Sequence, residues 1–385
     1  MLFSGGQIII KLLNVIIYYT LRMIKENRLP KYDNIYFFTI LLVVIGHMID
    51  QFTDKSGAFK SLFLFIVSFH MPLLIFVEGL FHKPIKREDS FNWQKFIFLL
   101  LISYLLRIIC YIIKSIDHSG AKINWFTGSE LPWLLAVLAL FMVVVFVVSR
   151  LHINPFVAVG ISLVLGCTSG YFYFIKDFLW LSRFFVFLPF YLIGYYLTPQ
   201  KIISFTNKLY IRIPAVLLGI VWFALCFWQR DLLYPLRGLF TGRNPFASIK
   251  SIVGCGIGHR AISYLIMVLI CIAVISAIPN IKIPLITHMG SNALAAFFWH
   301  RPIMYILEYA GVFTFLLKLP KKIWMIIVIS IAIVMCLVLM IDIFSWPLKK
   351  LQDIIDKNSN KACILILIVI IIFGIAFTIQ EGIKL

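Results

Sequence analysis

Residues 36–50 read YFFTILLVVIGHMID, an apolar run that ends in a glycine, a histidine and an aspartate. A helix that crosses a bilayer needs about 20 mostly apolar residues, and this run with its flanks supplies them. His47 and Asp50 are three residues apart, so they share one face of such a helix. An ionisable side chain in a membrane helix costs roughly 2.5–3.5 kcal/mol even on the mildest scale, which makes both residues functional candidates.

The remainder of the chain has the same character. Of its 385 residues, 62% are hydrophobic and 13% are charged, whereas soluble domains contain about 45–50% apolar and about 25% charged residues. Twelve apolar segments occur, at residues 7–24, 33–50, 61–81, 95–113, 131–149, 154–175, 179–198, 209–228, 262–279, 285–307, 323–345 and 362–378. Backbone polar groups in hydrocarbon must be paired within a segment. The sequence therefore predicts an all-α polytopic integral membrane bundle, with about ten core transmembrane helices and one or two extra terminal helices.

The chain is predicted to form one membrane domain with an addition at each end. Residues 1–30 are an N-terminal extension or an extra helix: the segment carries Lys11 and lacks an alanine-rich cleavage site, so a cleaved signal peptide is not expected. Residues 31–348 form the membrane domain. Residues 349–385 contain an amphipathic segment, expected on the cytoplasmic face, and a further C-terminal transmembrane helix.

Basic residues predict the orientation. The formal net charge is +19, and cytoplasmic loops of membrane proteins carry an excess of Lys and Arg. Residues 25–32 and 82–94 are rich in basic residues and are expected in the cytoplasm. The loop at residues 229–261 should then lie outside, yet it contains several cations: Arg230, Arg237, Arg243, Lys250 and Arg260. Either the rule fails there or these side chains bind an anionic ligand.

The cysteines indicate neither disulfides nor a metal site. Their number is odd, no pair has C-x-x-C spacing, and most lie within apolar segments: Cys110, Cys167, Cys226, Cys255, Cys271, Cys336 and Cys363. Cysteines of this kind are usually small residues of the apolar core. Nucleic-acid binding is not expected either, because no domain outside the membrane segments is available to carry a basic surface.

Further polar residues interrupt the later segments. His70 lies within FHMPLLIFVEGLF, where Pro72 loosens the backbone and Glu78 follows two turns later. Arg183 begins the aromatic segment SRFFVFLPFYLIGYYL, where a guanidinium can bind phosphate or carboxylate through two hydrogen bonds. A carboxylate beside a histidine would fix its tautomer, as a general base requires. The alternatives are that the histidines only bridge helices and that Arg183 anchors the interface.

In this order the motifs resemble the acyltransferase type 3 family, which includes membrane-embedded sugar O-acetyltransferases and the fucose 4-O-acetylase-like group. Residues 32–47 look like the opening helix of that family, which ends in Gly-His, and residues 69–81 look like its second helix. LPWLLAVLALF at residues 131–141 is similar to its Trp-containing helix. Residues 182–197 are close to its Arg-x-x-x-Phe-Leu-Pro-Phe-x-x-x-Gly-Tyr segment. IPLITHMGSNALAAFFWH at residues 283–300 resembles its late helix, which ends in histidine.

Two positions depart from the pattern of the family. Tyr36 stands eleven residues before His47, where the family usually has Arg or Lys, and Lys31 could replace the missing charge. Glu78 stands where the family has a small residue, and this extra acid could tune His70 or alter the choice of substrate.

The resemblance implies an O-acyltransferase that moves an acyl group, usually acetyl, from acyl-CoA to a carbohydrate of the cell envelope. Acetyl-CoA would be the donor, no metal is required, and the location would be a bacterial-type cytoplasmic membrane. His47 is the predicted general base or acyl carrier, with Asp50 and His70 in the same catalytic group. Six further residues are predicted to contact donor or acceptor: Arg183, Glu78, Tyr36, Arg260, Trp133 and His300.

A second function remains open from the sequence. A flippase or exporter of a polysaccharide intermediate could use the same polar residues to line a path through the membrane. The absence of an evident internal repeat weakens this alternative, because many transporters are built from repeated halves. An enzyme concentrates its essential residues near one point, whereas a path spreads them along the bundle axis.

Overall fold

The computed structural model describes residues 29–86, 88–116, 125–127, 132–249 and 251–380. Within these ranges the chain is helical and contains no strand, which confirms the predicted all-α bundle. The predicted segment at residues 7–24 lies outside the described residues. The helices are α1 Pro30–Asp50, α2 Gly57–Val67, α3 His70–Leu80, α4 Trp93–Ile116, α5 Trp133–Arg150, α6 Pro155–Thr168, α7 Leu181–Tyr196, α8 Pro199–Thr206, α9 Leu209–Trp228, α10 Arg230–Leu233, α11 Arg237–Phe240, α12 Ile257–Ala277, α13 Pro284–Ser291, α14 Ala293–Tyr309, α15 Val312–Leu316, α16 Lys321–Leu339, α17 Asp342–Asp356 and α18 Asn360–Gln380.

Eight helices of the described chain are long and apolar enough to cross a membrane, with α2 and α3 counted as one broken helix. Two predicted core spans have less regular helices. The segment at residues 154–175 is helical only from Pro155 to Thr168 and continues as short 3-10 turns. The segment at residues 285–307 is divided into α13 and α14 at Asn292.

Helix α1 is the central helix, and its two termini define the ends of the bundle. Its buried residues lie on all sides, and it packs against five other elements: α2, α3, α13, α14 and α16. The ring of Tyr32 packs edge-on against Phe81 with centroids 5.0 Å apart, so α3 ends where α1 begins, at the Pro30 end. Arg230 lies against Gly57, which places the loop after α9 at the opposite, Asp50 end.

The predicted span at residues 61–81 is interrupted between Val67 and His70. Pro72 has no N–H, and its ring would clash with the carbonyl of Ser68 four residues earlier in a continuous helix. The break is stabilised by Trp222 of α9, whose indole N–H donates to Ser68 Oγ at 3.0 Å. His70 therefore begins a helix, instead of lying in the middle of one as the sequence suggested.

The second break is held by a polar network. Asn292 donates to the carbonyl of Met340 at 3.0 Å and to Asp342 Oδ1 at 2.9 Å. Lys349 donates to Asn292 Oδ1 at 2.7 Å. Because these contacts turn the chain after Met340, residues 342–345 belong to the amphipathic helix α17 and not to the preceding span. Gln94 donates to the carbonyl of Asn358, so α17 ends on the same side as the loop before α4.

Helices α3 and α7 make a close interhelical contact that positions the site. A Cβ on Gly79 would lie 2.2 Å from the carbonyl oxygen of Tyr191, and a Cβ on Gly194 would lie 2.2 Å from that of Phe76. Any side chain at either glycine would force the helices apart. Since α3 begins at His70 and α7 carries Arg183, this contact fixes the spacing of two candidate residues.

Candidate active site in a cationic cavity

A cavity of about 730 Å³ lies at the Asp50 end of the bundle. We call it the histidine cavity. Five of the residues predicted from the sequence line it: His47, Asp50, His70, Trp133 and Arg183. They come from α1, α3, α5 and α7, so the fold brings together side chains that are far apart in sequence. The remaining wall is formed by α2, by Arg301 of α14 and by the loop between α9 and α12.

His47 is the centre of this group. Its ring stacks on that of His300, with centroids 5.5 Å apart and planes 27° from parallel. His70, Arg183 and Arg301 are all close enough to interact electrostatically with His47. The neighbouring Gly46 makes room for a helix: a Cβ there would meet Ile66 of α2 at 3.2 Å. His47 is only partly buried, because one side of its ring faces the cavity.

The two flanking histidines have defined tautomers. Nδ1 of His70 lies 2.8 Å from the carbonyl oxygen of Ile66, and Nδ1 of His300 lies 2.8 Å from that of Ala296. A carbonyl can only accept, so Nδ1 of each ring carries the hydrogen and Nε2 of the neutral ring has the lone pair. Nε2 of His300 is buried without a hydrogen-bond partner. Both rings are thus oriented with a nitrogen able to accept a proton.

Arg183 is buried in the first turn of α7, and its guanidinium lies over the ring of Trp133 at 4.8 Å. Leu179 and Trp180 precede it with φ angles of 45° and 54°, a left-handed conformation that is unfavourable for residues with side chains. Ser182 donates to the carbonyl of Gly242 at 2.7 Å and fastens this turn to the opposite loop. The strained turn directs the Arg183 side chain into the bundle. A side chain that only anchored the interface would not point there.

Asp50 does not have the predicted position relative to His47. No hydrogen bond joins the two side chains among the described residues, although both line the cavity. Asp50 interacts electrostatically with Arg237 and Arg301 instead. It lies at the last residue of α1, one turn beyond His47, and is exposed. The expectation that Asp50 fixes the tautomer of His47 was therefore wrong.

Arg260 also differs from its predicted role. Its side chain is fully buried below the loop between α9 and α12, where it donates to the carbonyl of Leu239 and lies 5.7 Å from the centre of the Phe246 ring. It does not line the histidine cavity. This arginine supports the loop from inside, so direct ligand contact by Arg260 is not part of the site.

Tyr36 and Glu78 line a different cavity of about 610 Å³ at the Pro30 end, which we call the glutamate cavity. The Tyr36 hydroxyl donates to Glu78 Oε1 at 2.8 Å. Glu78 therefore accepts a hydrogen bond from Tyr36, the other residue that departs from the family pattern, and does not tune His70. Lys31 does not replace the missing charge, because its ammonium donates to Thr206 and Asn207 of the α8 region.

Sequence reasoning missed part of the cationic wall of the histidine cavity. Arg301 directly follows His300 in the late motif, and its Nε is buried without a hydrogen-bond partner. Lys60 and Lys176 also line the cavity. The sequence signal for Arg301 was its place within an apolar helix, whereas Lys60 and Lys176 resembled ordinary loop charges. In the part of the chain that the structure describes, no group of three or more His, Cys, Asp or Glu residues could hold a metal ion.

The fold and the cavity define an integral membrane protein with a histidine-centred polar site between its helices. The family model described as an acyltransferase domain matches residues 30–346. The chain therefore belongs to the acyltransferase type 3 family and is a membrane acyltransferase by family. Comparison with curated proteins and with solved structures gives no match.

Proposed function

We propose that this protein transfers an acyl group, acetyl in the simplest case, from acyl-CoA to a hydroxyl of a cell-envelope or exported carbohydrate. The observation that carries the proposal is the convergence of His47, His70 and Arg183 on one cavity, with the ring of His300 stacked on that of His47. A sugar hydroxyl is a poor nucleophile near neutral pH and needs a base within hydrogen-bond distance. Histidine is the side chain best suited to accept and return that proton.

In the direct mechanism, His47 removes the proton of the sugar hydroxyl while the oxygen attacks the thioester carbonyl. The carbonyl oxygen becomes an oxyanion, and the guanidinium of Arg183 stabilises it. When the tetrahedral intermediate collapses, the C–S bond breaks, and the CoA sulfur takes the proton from the His47 imidazolium. The products are a sugar ester and free CoA, and the histidine returns to its neutral form.

A two-step mechanism uses the same residues. The neutral His47 ring attacks the thioester, the C–S bond breaks, and the CoA sulfur leaves with the ring proton, so that a neutral acyl-imidazole remains; the sugar hydroxyl then attacks its carbonyl. In this version Nε2 of His70, which lines the cavity, accepts the proton of the hydroxyl and returns it to the His47 ring as that ring leaves the acyl group. Arg183 stabilises the oxyanion in both steps.

The two cavities suggest how the substrates meet. They lie along the same helices: Ile40 lines the glutamate cavity and Val43 lines the histidine cavity, about one helical turn further along α1. Leu74 and Met71 of α3 have the same relation. If the Pro30 end faces the cytoplasm of a bacterial-type inner membrane, the donor enters at that end. Its acyl group then reaches His47 by passing the apolar side chains between the two cavities, those of Ile40, Val43, Met71 and Leu74.

The same arrangement supports an exporter as the second candidate, because two cavities on one set of helices resemble a closed path. Acyl transfer by protein purified into nanodiscs separates the two. Radiolabelled acetyl-CoA and an extract of envelope carbohydrate should give labelled ester with the native chain and none with His47→Ala. Mass spectrometry of surface polysaccharide from a deletion strain would identify the missing ester. Loss of polysaccharide export with unchanged acylation would favour the exporter.

A further inference from the structure

We propose that the acceptor is an anionic glycan, whose phosphate or carboxylate binds a cationic wall in the histidine cavity. The wall consists of Lys60, Lys176, Arg237 and Arg301. This proposal rests on the proposed acyl transfer, because it assigns the acceptor of that reaction. It concerns side chains that lie outside the motifs shared with the family, apart from the position next to His300.

The charge of the cavity is strongly unbalanced. Six cationic side chains line it: Lys60, Lys176, Arg183, Arg237, Arg243 and Arg301. Among the residues that the structure describes, only two carboxylates line it, those of Asp50 and Asp231. Arg243 is largely neutralised, because Asp177 accepts two hydrogen bonds from its guanidinium at 2.7 and 2.9 Å. The two carboxylates in the lining cannot balance the cations that remain.

Among the described residues, no carboxylate forms an ion pair with a member of the wall. Asp231 is already engaged by Arg230 at 3.3 Å, although Lys60 lies near enough to interact with it electrostatically. Lys60 and Arg237 both lie over the ring of Tyr234, at 4.6 and 4.5 Å from its centre.

Asp50 interacts electrostatically with both Arg237 and Arg301, and the buried Nε of Arg301 lacks a hydrogen-bond partner. Like charges close together in a poorly solvated cavity repel each other strongly. A bound anion would remove this repulsion.

The position of the wall favours the acceptor over the donor. The wall lies at the Asp50 end, opposite the basic segments at residues 25–32 and 82–94 that predict the cytoplasmic side. Acyl-CoA is supplied from the cytoplasm, and two cations at that end line a third cavity, Lys83 in the loop before α4 and Lys95 in its first turn. The wall therefore gives a function to Arg237, one of the cations in the loop that departs from the positive-inside rule.

The wall also places the anion at a distance from the reacting hydroxyl. Arg237 lies in the outer loop near Asp50, one helical turn beyond His47, whereas Arg183 and His70 are closer to the middle of the bundle. The acceptor would bind with its phosphate or carboxylate outermost and a free hydroxyl directed at His47. Neutral glycans should lack the contact between an anionic group and the cationic wall.

Binding to protein in nanodiscs tests the proposal without relying on turnover. The probes are trigalacturonate, a neutral galactotriose of the same length, glucose 6-phosphate, glucose and CoA. We expect trigalacturonate or glucose 6-phosphate to bind with an affinity that falls as salt rises, and the neutral sugars to bind at least tenfold more weakly. The double variant Lys60→Gln/Arg237→Gln should lose this preference and keep its affinity for CoA. The matched control is Lys55→Gln/Lys318→Gln, which removes the same charge outside the cavity lining.

Any other outcome of this experiment overturns the proposal. A loss of CoA affinity in the wall variant, with anionic sugars unaffected, would assign the wall to the donor. Equal binding of charged and neutral sugars would remove the anion site altogether. His47→Ala separates the two proposals: it should bind trigalacturonate normally while acyl transfer is lost. If the native chain binds anionic sugars but acylates only neutral ones, the acceptor assignment fails and the proposed acyl transfer stands; if it acylates neither class of sugar, the proposed function fails as well.

Discussion

The rings of His47 and His300 stack with centroids 5.5 Å apart, although one lies in the first described helix and the other in α14. The contact brings the end of the opening motif against the end of the late motif. His300 is fully buried and its Nδ1 is held by a backbone carbonyl, so the ring is a rigid support for the more accessible His47.

His47→Ala should reduce acyl transfer by about 10²–10⁴-fold, the usual contribution of a general base. Loss of an acyl carrier would be at least as severe. The amount of protein in the membrane should be unchanged, because His47 is half-buried and faces a cavity. The measurement is ester content of the polysaccharide, with immunoblotting of the membrane fraction as control. Near-native ester content would exclude His47 from the mechanism.

Arg183→Lys should remain strongly impaired, by about 10²-fold in kcat, since lysine keeps the charge but loses the planar fork that stabilises an oxyanion. Lysine also stacks less well over Trp133. Radiolabelled acetyl transfer by the purified variant measures the loss. Full activity of the lysine variant would reduce the role of Arg183 to that of a point charge.

Gly79→Ala or Gly194→Ala should destabilise the protein by about 1–3 kcal/mol, the usual cost of overpacking. The added methyl group would meet a backbone oxygen of the facing helix at 2.2 Å, which cannot move aside like a side chain. Acyl transfer should fall as well, because α3 and α7 carry His70 and Arg183. Thermal unfolding in detergent gives the first effect. Gly160→Ala is the matched control: it lies in a helix with open space around it and should lose neither stability nor activity.

Cysteine labelling tests the orientation. In a background without the native cysteines, Lys55→Cys should react with an impermeant maleimide in intact cells, and Lys86→Cys should react only after permeabilisation. Lys55 is exposed in the turn after α1, and Lys86 is exposed in the loop after α3, at opposite ends of the bundle. The reverse pattern would place His47 at the cytoplasmic end, and a cross-membrane transfer would have to be abandoned.

His82 should make the folded protein sensitive to acid. It lies beyond α3, outside the membrane spans, with Nδ1 2.6 Å from the Tyr191 hydroxyl. Burial, with a smaller effect of Lys95, lowers the pKa of His82 to about 4 from 6.5. The unfolded chain therefore binds the proton more readily, so stability present at neutral pH is lost as pH falls from 6.5 towards 4. At pH 5 the loss from this group is about 2 kcal/mol.

The matched comparison is His82→Gln, which stays neutral. Its thermal midpoint should fall less than that of the native protein between pH 7 and pH 5. Parallel behaviour of the two proteins over that range would show that His82 does not titrate in this window.

The sequence was sufficient for the fold class and for five of the residues that line the histidine cavity. Apolar runs in the sequence, together with the cost of an ionisable side chain in lipid, singled out His47, His70 and Arg183. The sequence could not show that the helix breaks before His70 at Pro72, because the break also depends on Trp222 from a distant helix. The pairing of Tyr36 with Glu78 was hidden for the same reason: it is a contact between two helices, and each residue alone looked like an isolated departure from the family.

The opposite charges of the two cavities have a consequence for inhibitors. The glutamate cavity contains the carboxylates of Asp33 and Glu78 and, among its described lining residues, no Lys or Arg, whereas the histidine cavity is cationic. Basic amphiphiles, a frequent chemical type among membrane-active drugs, would be drawn to the glutamate cavity and repelled from the residues around His47. A compound aimed at His47 should therefore carry an acidic group.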